Sequence, residues 1–161
     1  MNVRTLVING VVAALYIAVS AIIQPFGFTN VQFRVSELFN HLVVFNKKFF
    51  FGIILGVFLT NFFFSPMRLY DIVFGVLHSA ISLGLIILLA TYVKNQLVLL
   101  AANTLIFSFN MFIIAFELYL ALGLPFFFSW FTAAIGEFVV LAIGIPIMYA
   151  LNKQVHFNRM F

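Results

Sequence analysis

Apolar residues run along this chain in blocks of roughly span length, and polar residues between them come in short clusters. A helix needs ~20 apolar residues to cross hydrocarbon, and Pro, Gly, Asn and basic pairs mark where such runs stop. On that pattern six helical segments are expected. The first runs from Thr5 to Ile23 and stops at Gln24-Pro25, before a polar, glycine-containing stretch from Phe26 to Gln32. The second, Arg34 to Phe45, is short for a span and reads as tilted, buried or partly inserted. Asn46-Lys47-Lys48 separates it from the third, Phe49 to Phe64, and Ser65-Pro66-Met67-Arg68 makes the next turn. The fourth runs from Asp71 to Tyr92 and is closed by Lys94-Asn95; the fifth spans Leu97 to Leu120 and the sixth Ser129 to Leu151. The first run exceeds the apolar core of a cleaved leader, so a retained first span is expected. No linker or internal repeat interrupts the pattern. The expected fold is all-α and integral to the membrane: a single domain over residues 1–161, built as a six-transmembrane-helix bundle.

Composition names the solvent. The chain is 65% hydrophobic and 7% charged, whereas a soluble domain has about a quarter of its residues charged. The net charge of +4 belongs to basic residues scattered at segment ends, which form no stripe for nucleic acid. With the N-terminus cytoplasmic, Arg4, Lys47, Lys48, Lys94, Lys153 and Arg159 lie inside and only Arg34 and Arg68 outside. That is the asymmetry of the positive-inside rule, so both termini of this multi-pass protein are expected on the cytoplasmic side of the cell membrane. Cysteine is absent, which excludes disulfides, thiolate metal sites and cysteine nucleophiles.

Against that background the carboxylates stand out. Glu37, Asp71, Glu117 and Glu137 are the only ones, and each lies inside or at the edge of an apolar run. An ionisable group in hydrocarbon costs a few kcal/mol or more and persists mainly where it faces a cavity or a partner. With the orientation above, the polar residues gather in the outer half: Ser20, Gln24, Arg34, Ser36, Glu37, Asn40, Asn61, Asp71, His78, Asn110, Glu117, Trp130 and Glu137. The inner stretches Gly52 to Phe58, Leu83 to Ala90 and Leu141 to Ala150 carry almost none. A channel or proton relay needs polar groups through the full depth. The pattern instead describes a cup that opens outward over an apolar floor, suited to binding or transport.

Each polar residue also has a plainer reading. Asn103, Asn110 and Glu117 recur every seven residues and share one helix face. The two Asn could be interhelical hydrogen-bond glue, while a carboxylate exceeds what glue requires. Glu137 is either protonated and structural or meets a donor-rich ligand. Asp71 and Arg68 could pair or cap the fourth helix, and Arg34 and Glu37 could pair locally or present a fork and an acceptor to one ligand. Trp130 is an interface anchor or a stacking surface. His41 and His78 lack metal-site spacing and read as hydrogen-bonded core residues, so no metal is expected. No catalytic constellation or phosphate loop supports an enzyme.

Two ridges of small residues concern partners: Gly10, Ala14 and Ala18 on the first helix, and Gly52 and Gly56 on the third. Each could pack inside the bundle or admit an outside helix. Without an ATP motif or a full-depth polar path, transport by this chain would draw its energy from another subunit. The alternatives are a solitary secondary transporter, or a structural or enzymatic membrane protein whose acids only stabilise it.

The run Val31-Gln32-Phe33-Arg34-Val35-Ser36-Glu37 resembles the QFRxSE signature of the QueT family, substrate-binding S components of energy-coupling factor transporters. The likeness extends to six hydrophobic helices, an outer loop before the signature, Asn61 near the end of the third helix and Asp71 opening the fourth. Ala14-Leu15-Tyr16-Ile17-Ala18 looks like the AxxxA motif by which S components dock on the transmembrane coupling subunit. Leu38-Phe39 depart from the pattern, which has a small residue and then Leu there. The resemblance implies a subunit that captures a queuosine precursor, a 7-deazaguanine, outside the cell. It further implies toppling in the membrane against a T subunit driven by two cytoplasmic ATPases, which use ATP; this chain itself carries no cofactor. A site of Gln32, Arg34, Glu37, Asn61, Asp71, Asn110, Glu117, Trp130 and Glu137, under a lid of residues 26–32, is the expectation, with docking through Gly10, Ala14 and Ala18.

Overall fold

A computed structural model of the chain describes residues 2–27 and 33–161, with the backbone alone over 25–27. The expected lid, Gln32 included, lies largely outside the described residues. The helices are α1 (Val3–Gly27), α2 (Leu42–Phe45), α3 (Phe50–Phe64), α4 (Leu69–Tyr92), α5 (Gln96–Asn110), α6 (Phe112–Leu122) and α7 (Phe126–Val155), with 3₁₀ turns at Val35–His41, Lys47–Phe49 and Phe157–Arg159. No strand occurs among the described residues. Five stretches are long and apolar enough to cross a membrane: Val3–Gln24, Lys47–Phe64, Leu69–Tyr92, Gln96–Leu122 and Phe126–Val155.

The second segment differs from the other five. Val35–Phe45 is a short apolar helix, mostly 3₁₀, and its rise of about 20 Å falls short of a ~30 Å hydrocarbon core. Its course is still informative. α1 and α3 run parallel, since Asn9 meets Gly52 and Tyr16 meets Gly56. The chain between them must therefore return from one end of the bundle to the other. Arg34 touches Asp71 at the start of α4, His41 bonds Leu141 part-way down α7, and Phe45 stacks on Phe157 beyond α7. Both termini thus gather at the end where Phe49 meets Phe161, with rings 4.8 Å apart. The end opposite is the far end.

Helix boundaries follow local chemistry. The Asn46 side chain accepts from the Lys48 amide, and that of Asn95 from the amides of Leu97 and Val98, opening α3 and α5. Gly123, at φ +67°, closes α6 with its amide on the Tyr119 carbonyl, a left-handed position that suits glycine. α1 continues past Gln24-Pro25 to Gly27, and α7 is longer at both ends than the sequence pattern indicates.

The fifth span is broken at Met111. His78 Nε2 lies 3.1 Å from the Phe107 carbonyl, and the Trp130 indole donates to the Phe109 carbonyl at 2.9 Å. Side chains inserted into a helical ladder bend it, and the Met111 amide turns to Ser108 instead of Phe107. α6, which carries Glu117, starts after this break.

The main core joins Tyr16, Phe49, Ile53, Leu83, Ile86, Leu100, Leu141 and Met148, and a smaller cluster centres on Met111, Ile114, Leu118 and Ala133. Both are close-packed across helices, while Phe and Leu side chains face outward on all the long ones, as a lipid-solvated bundle requires.

Candidate functional site

All four carboxylates are buried, none more than 2% exposed, and Arg34 is the cation that bears on each of them. The Arg34 guanidinium pairs with Asp71 at 3.1 Å. Glu37 and Glu117 are within its electrostatic reach, and Glu137 is within reach of both Arg34 and Glu37. They arrive from four directions: the Val35–His41 turn, the first turn of α4, the middle of α6 and the middle of α7.

Two of the acids are held by donors. Glu37 accepts from the Tyr16 hydroxyl at 2.8 Å and from the Asn40 amide. Asp71 accepts from Arg34 and from the Ser65 hydroxyl. The Asn61 amide, buried beside Gly75, donates to the Asp71 carbonyl at 2.7 Å and so ties α3 to the start of α4. The other two acids are not so served. Neither oxygen of Glu117 has a donor among the described residues, and Oε1 of Glu137 has none either. The charged neighbours of Glu117 are Asp71 and Arg34, one of each sign.

Beside Arg34 lies a cavity of about 20 Å³, lined by Tyr16, Ser20, Phe33, Arg34, Ser36 and Asn61 among others and by none of the four carboxylates. That is room for about one water molecule. A planar base would have to part α1, the Val35–His41 turn and α3 to enter.

The remaining expected site residues are placed differently. Asn110 donates to the Ser82 hydroxyl at 2.9 Å, joining α5 to α4. Trp130 packs edge-on to Phe109 and Phe112 and beside Phe126, with its indole proton on the backbone of α5. Arg68 is exposed and sits over the Phe62 ring, 5.9 Å from its centroid. His41 and His78 each spend Nε2 on a backbone carbonyl, and Asn103 holds the other nitrogen of His41 at 3.1 Å.

Sequence reasoning passed over Tyr16, the direct partner of Glu37, and Ser65, the partner of Asp71. Tyr16 was hidden by its place inside the AxxxA-like run. The signal for it was a phenol, which needs a partner when buried, in the middle of an apolar helix. The polarity of the opposite half was also underrated: Thr5 and Asn9 are buried there, the Asn9 side chain bridging the Thr5 carbonyl to the Gly52 amide.

The two small-residue ridges have separate fates. On α3 a Cβ at Gly52 would stand 2.7 Å from Asn9 Oδ1, and one at Gly56 2.8 Å from Tyr16 Cβ, so that ridge is the seat of α1. On α1, Gly10, Ala14 and Ala18 are exposed, and a Cβ at Gly10 would meet nothing.

A family model described as QueT transporter matches residues 6–153. The chain is 34% identical to the queuosine precursor transporter QueT of Lactococcus lactis subsp. cremoris (strain MG1363), over 92% of each chain. No solved structure matches it. Nearly the whole length, buried acids and spanning helices together, falls within the match: this multi-pass membrane protein belongs to the QueT transporter family.

Proposed function

We propose that this chain is the substrate-capture subunit of an energy-coupling factor importer, binding a queuosine precursor of the 7-deazaguanine class. The observation that carries the proposal is the buried far-end cluster, in which Glu117 and Glu137 keep acceptor oxygens unfilled. The edge of a guanine-like ring offers adjacent N–H donors, which a carboxylate accepts together. The curated relative is named for a queuosine precursor, and the match spans nearly the full chain.

In this reading the far end faces outward and both termini are cytoplasmic, because six of the eight basic residues then lie inside. The Val35–Phe45 segment counts as the sixth transmembrane passage. Arg34, Glu37 and Asn61 form the entrance, and Tyr16 and Asp71 hold that entrance in shape. The apolar core around Leu83, Ile86, Leu141 and Met148 seals the route below. Release to the cytoplasm then needs reorientation of the whole subunit, powered by a T subunit and two ATPases. The exposed Gly10, Ala14 and Ala18 ridge is where the T subunit's helices approach, since small side chains let backbones come close.

Reconstitution tests the assignment. Vesicles holding this chain with its T subunit and ATPases should take up the base only with ATP, and the chain alone should bind but not transport. ATP-independent uptake by the chain alone would overturn it. Ala14→Leu should abolish assembly with the T subunit while leaving ligand affinity within about twofold, a change of ~0.4 kcal/mol. An equal loss of both would make the ridge internal packing.

A further inference from the structure

An apolar groove lies at the opposite end of the bundle from the Arg34–Asp71 pair. It holds about 400 Å³, and every side chain lining it is apolar. One wall is α1, through Val7, Val11 and Leu15; the other is α7, through Met148 and Leu151. α1 packs chiefly on α3 and the Val35–His41 turn, and α7 on α5, α6 and that same turn. The short second segment therefore stands between the two long helices, and its Leu38 and Leu42 floor the gap without filling it. Val7, Val11, Leu15 and Leu151 are exposed, so the groove opens sideways into the solvent of the bundle.

Its length says what fits. From Val7 to Leu15 the wall runs about 12 Å, against ~15 Å for the hydrocarbon of one leaflet. The groove closes at mid-depth, where α1 is tied to the second segment. There the Tyr16 hydroxyl donates to Glu37 at 2.8 Å and the Ser20 hydroxyl to Ser36 at 2.7 Å. A partner's transmembrane helix, ~10 Å wide and crossing ~30 Å, has no seat of that length here. An acyl chain entering from one leaflet does.

The other end carries the charge. Phe157 and Met160 line the groove where the termini gather, with Arg159 exposed between them. Arg4 is exposed and shares the α1 face of Ile8, Val11 and Leu15 by helical spacing. Lys48 adjoins Phe49, a lining residue, and its Nζ lies 5.6 Å from the Phe161 ring that packs edge-on to Phe49. Lys153 turns instead to Tyr149. None of the four acidic residues lies at this end; Glu37, next to the lining in sequence, is held by Tyr16 where the groove closes. Three cations from three stretches of chain thus stand at one end of an apolar slot, and basic pockets between membrane helices suit anionic headgroups.

We propose that this groove binds one anionic phospholipid, with an acyl chain along α1 against Leu38 and Leu42 and the phosphate meeting Arg4, Lys48 and Arg159. The site stands apart from the buried acids and does not depend on what they bind. A zwitterionic lipid fits the slot equally well but adds its own cation to the three already there.

Native mass spectrometry of the full-length chain in detergent tests this, by titration with dioleoylphosphatidylglycerol or dioleoylphosphatidylcholine. One phosphatidylglycerol should be retained per chain, at least about fivefold more tightly than phosphatidylcholine, the factor for one basic side chain near a headgroup. Val11→Trp combined with Leu151→Trp fills the slot from both walls and should remove the tightly held lipid. Arg4→Gln combined with Lys48→Gln should bring the ratio of the two lipids toward one. Equal retention of both lipids by the wild-type chain means annular lipid only and overturns the proposal. Full preference kept in either double variant overturns it too. So does a dimer, or assembly with the T subunit, that excludes the lipid and is lost in the Trp variant, since the occupant is then a protein. The Gln variant alters only exposed side chains, so the charge comparison still decides if the Trp variant fails to fold.

Discussion

Glu37 and Asp71 occupy the same buried cluster as Glu117 and Glu137, yet the two pairs are built for different ends. The first pair sits on a 3₁₀ turn and at a helix start, where the backbone brings hydroxyl, amide and guanidinium donors within reach: Tyr16, Asn40, Ser65 and Arg34. The second pair projects from the interior of α6 and α7, where the helix's own donors are spent in its backbone ladder. A carboxylate with its donors in place is structure. One held dry without them is capacity waiting for a partner, retained against its cost because something else fills it.

Substitutions can break or sharpen this contrast. The largest effect on the fold is expected at Asp71. Asp71→Ala removes the carboxylate that Arg34 pairs with directly, and with it the acceptor for Ser65, and should destabilise by about 3–5 kcal/mol, read as a large fall in the thermal midpoint in detergent. A fall no greater than that of an ordinary surface change would place Asp71 with the ligand-facing acids. Tyr16→Phe removes one of the two donors to Glu37 and should cost about 1–3 kcal/mol. A neutral result there would mean that Glu37 is served by something other than the phenol. The smallest stability effect is expected at Glu117→Gln, within ~0.5 kcal/mol, because no hydrogen bond from a donor is lost and the amide has nearly the shape of the carboxyl group. The same variant should bind ligand about ten- to hundredfold more weakly, through loss of a charge-assisted bond of ~1.5–3 kcal/mol. If Glu117→Gln instead unfolds the protein, the division into structural and ligand-facing pairs is wrong.

Much of this was legible before any coordinates. Runs of apolar residues near span length can do little but cross a bilayer as helices, since backbone groups must be satisfied within the segment. Five of the six expected segments accordingly are helices long enough to do so. The buried acids were equally visible, because a carboxylate amid Phe and Leu has few places to go. The short second segment was the ambiguous one. Its twelve residues, Arg34 to Phe45, admit several geometries, and its 3₁₀ winding follows from the neighbours it threads between, with Leu38 and His41 set against Gly144.

The helices, their apolar exteriors and the presence of four expensive carboxylates were determined by the sequence alone, because each depends on local composition and on the cost of polar groups in hydrocarbon. Only the tertiary structure decided which acids have donors, which small-residue ridge is covered, and where the fifth span breaks. Gly52 and Gly56 read like Gly10, Ala14 and Ala18 in one dimension, but only the former meet Asn9 and Tyr16. The break at Met111 has no proline or glycine to announce it, and arises from His78 and Trp130, which lie far away in sequence. Hydrogen bonds between helices depend on register and rotation, and these are settled by the packing of the whole bundle rather than by any one segment of it.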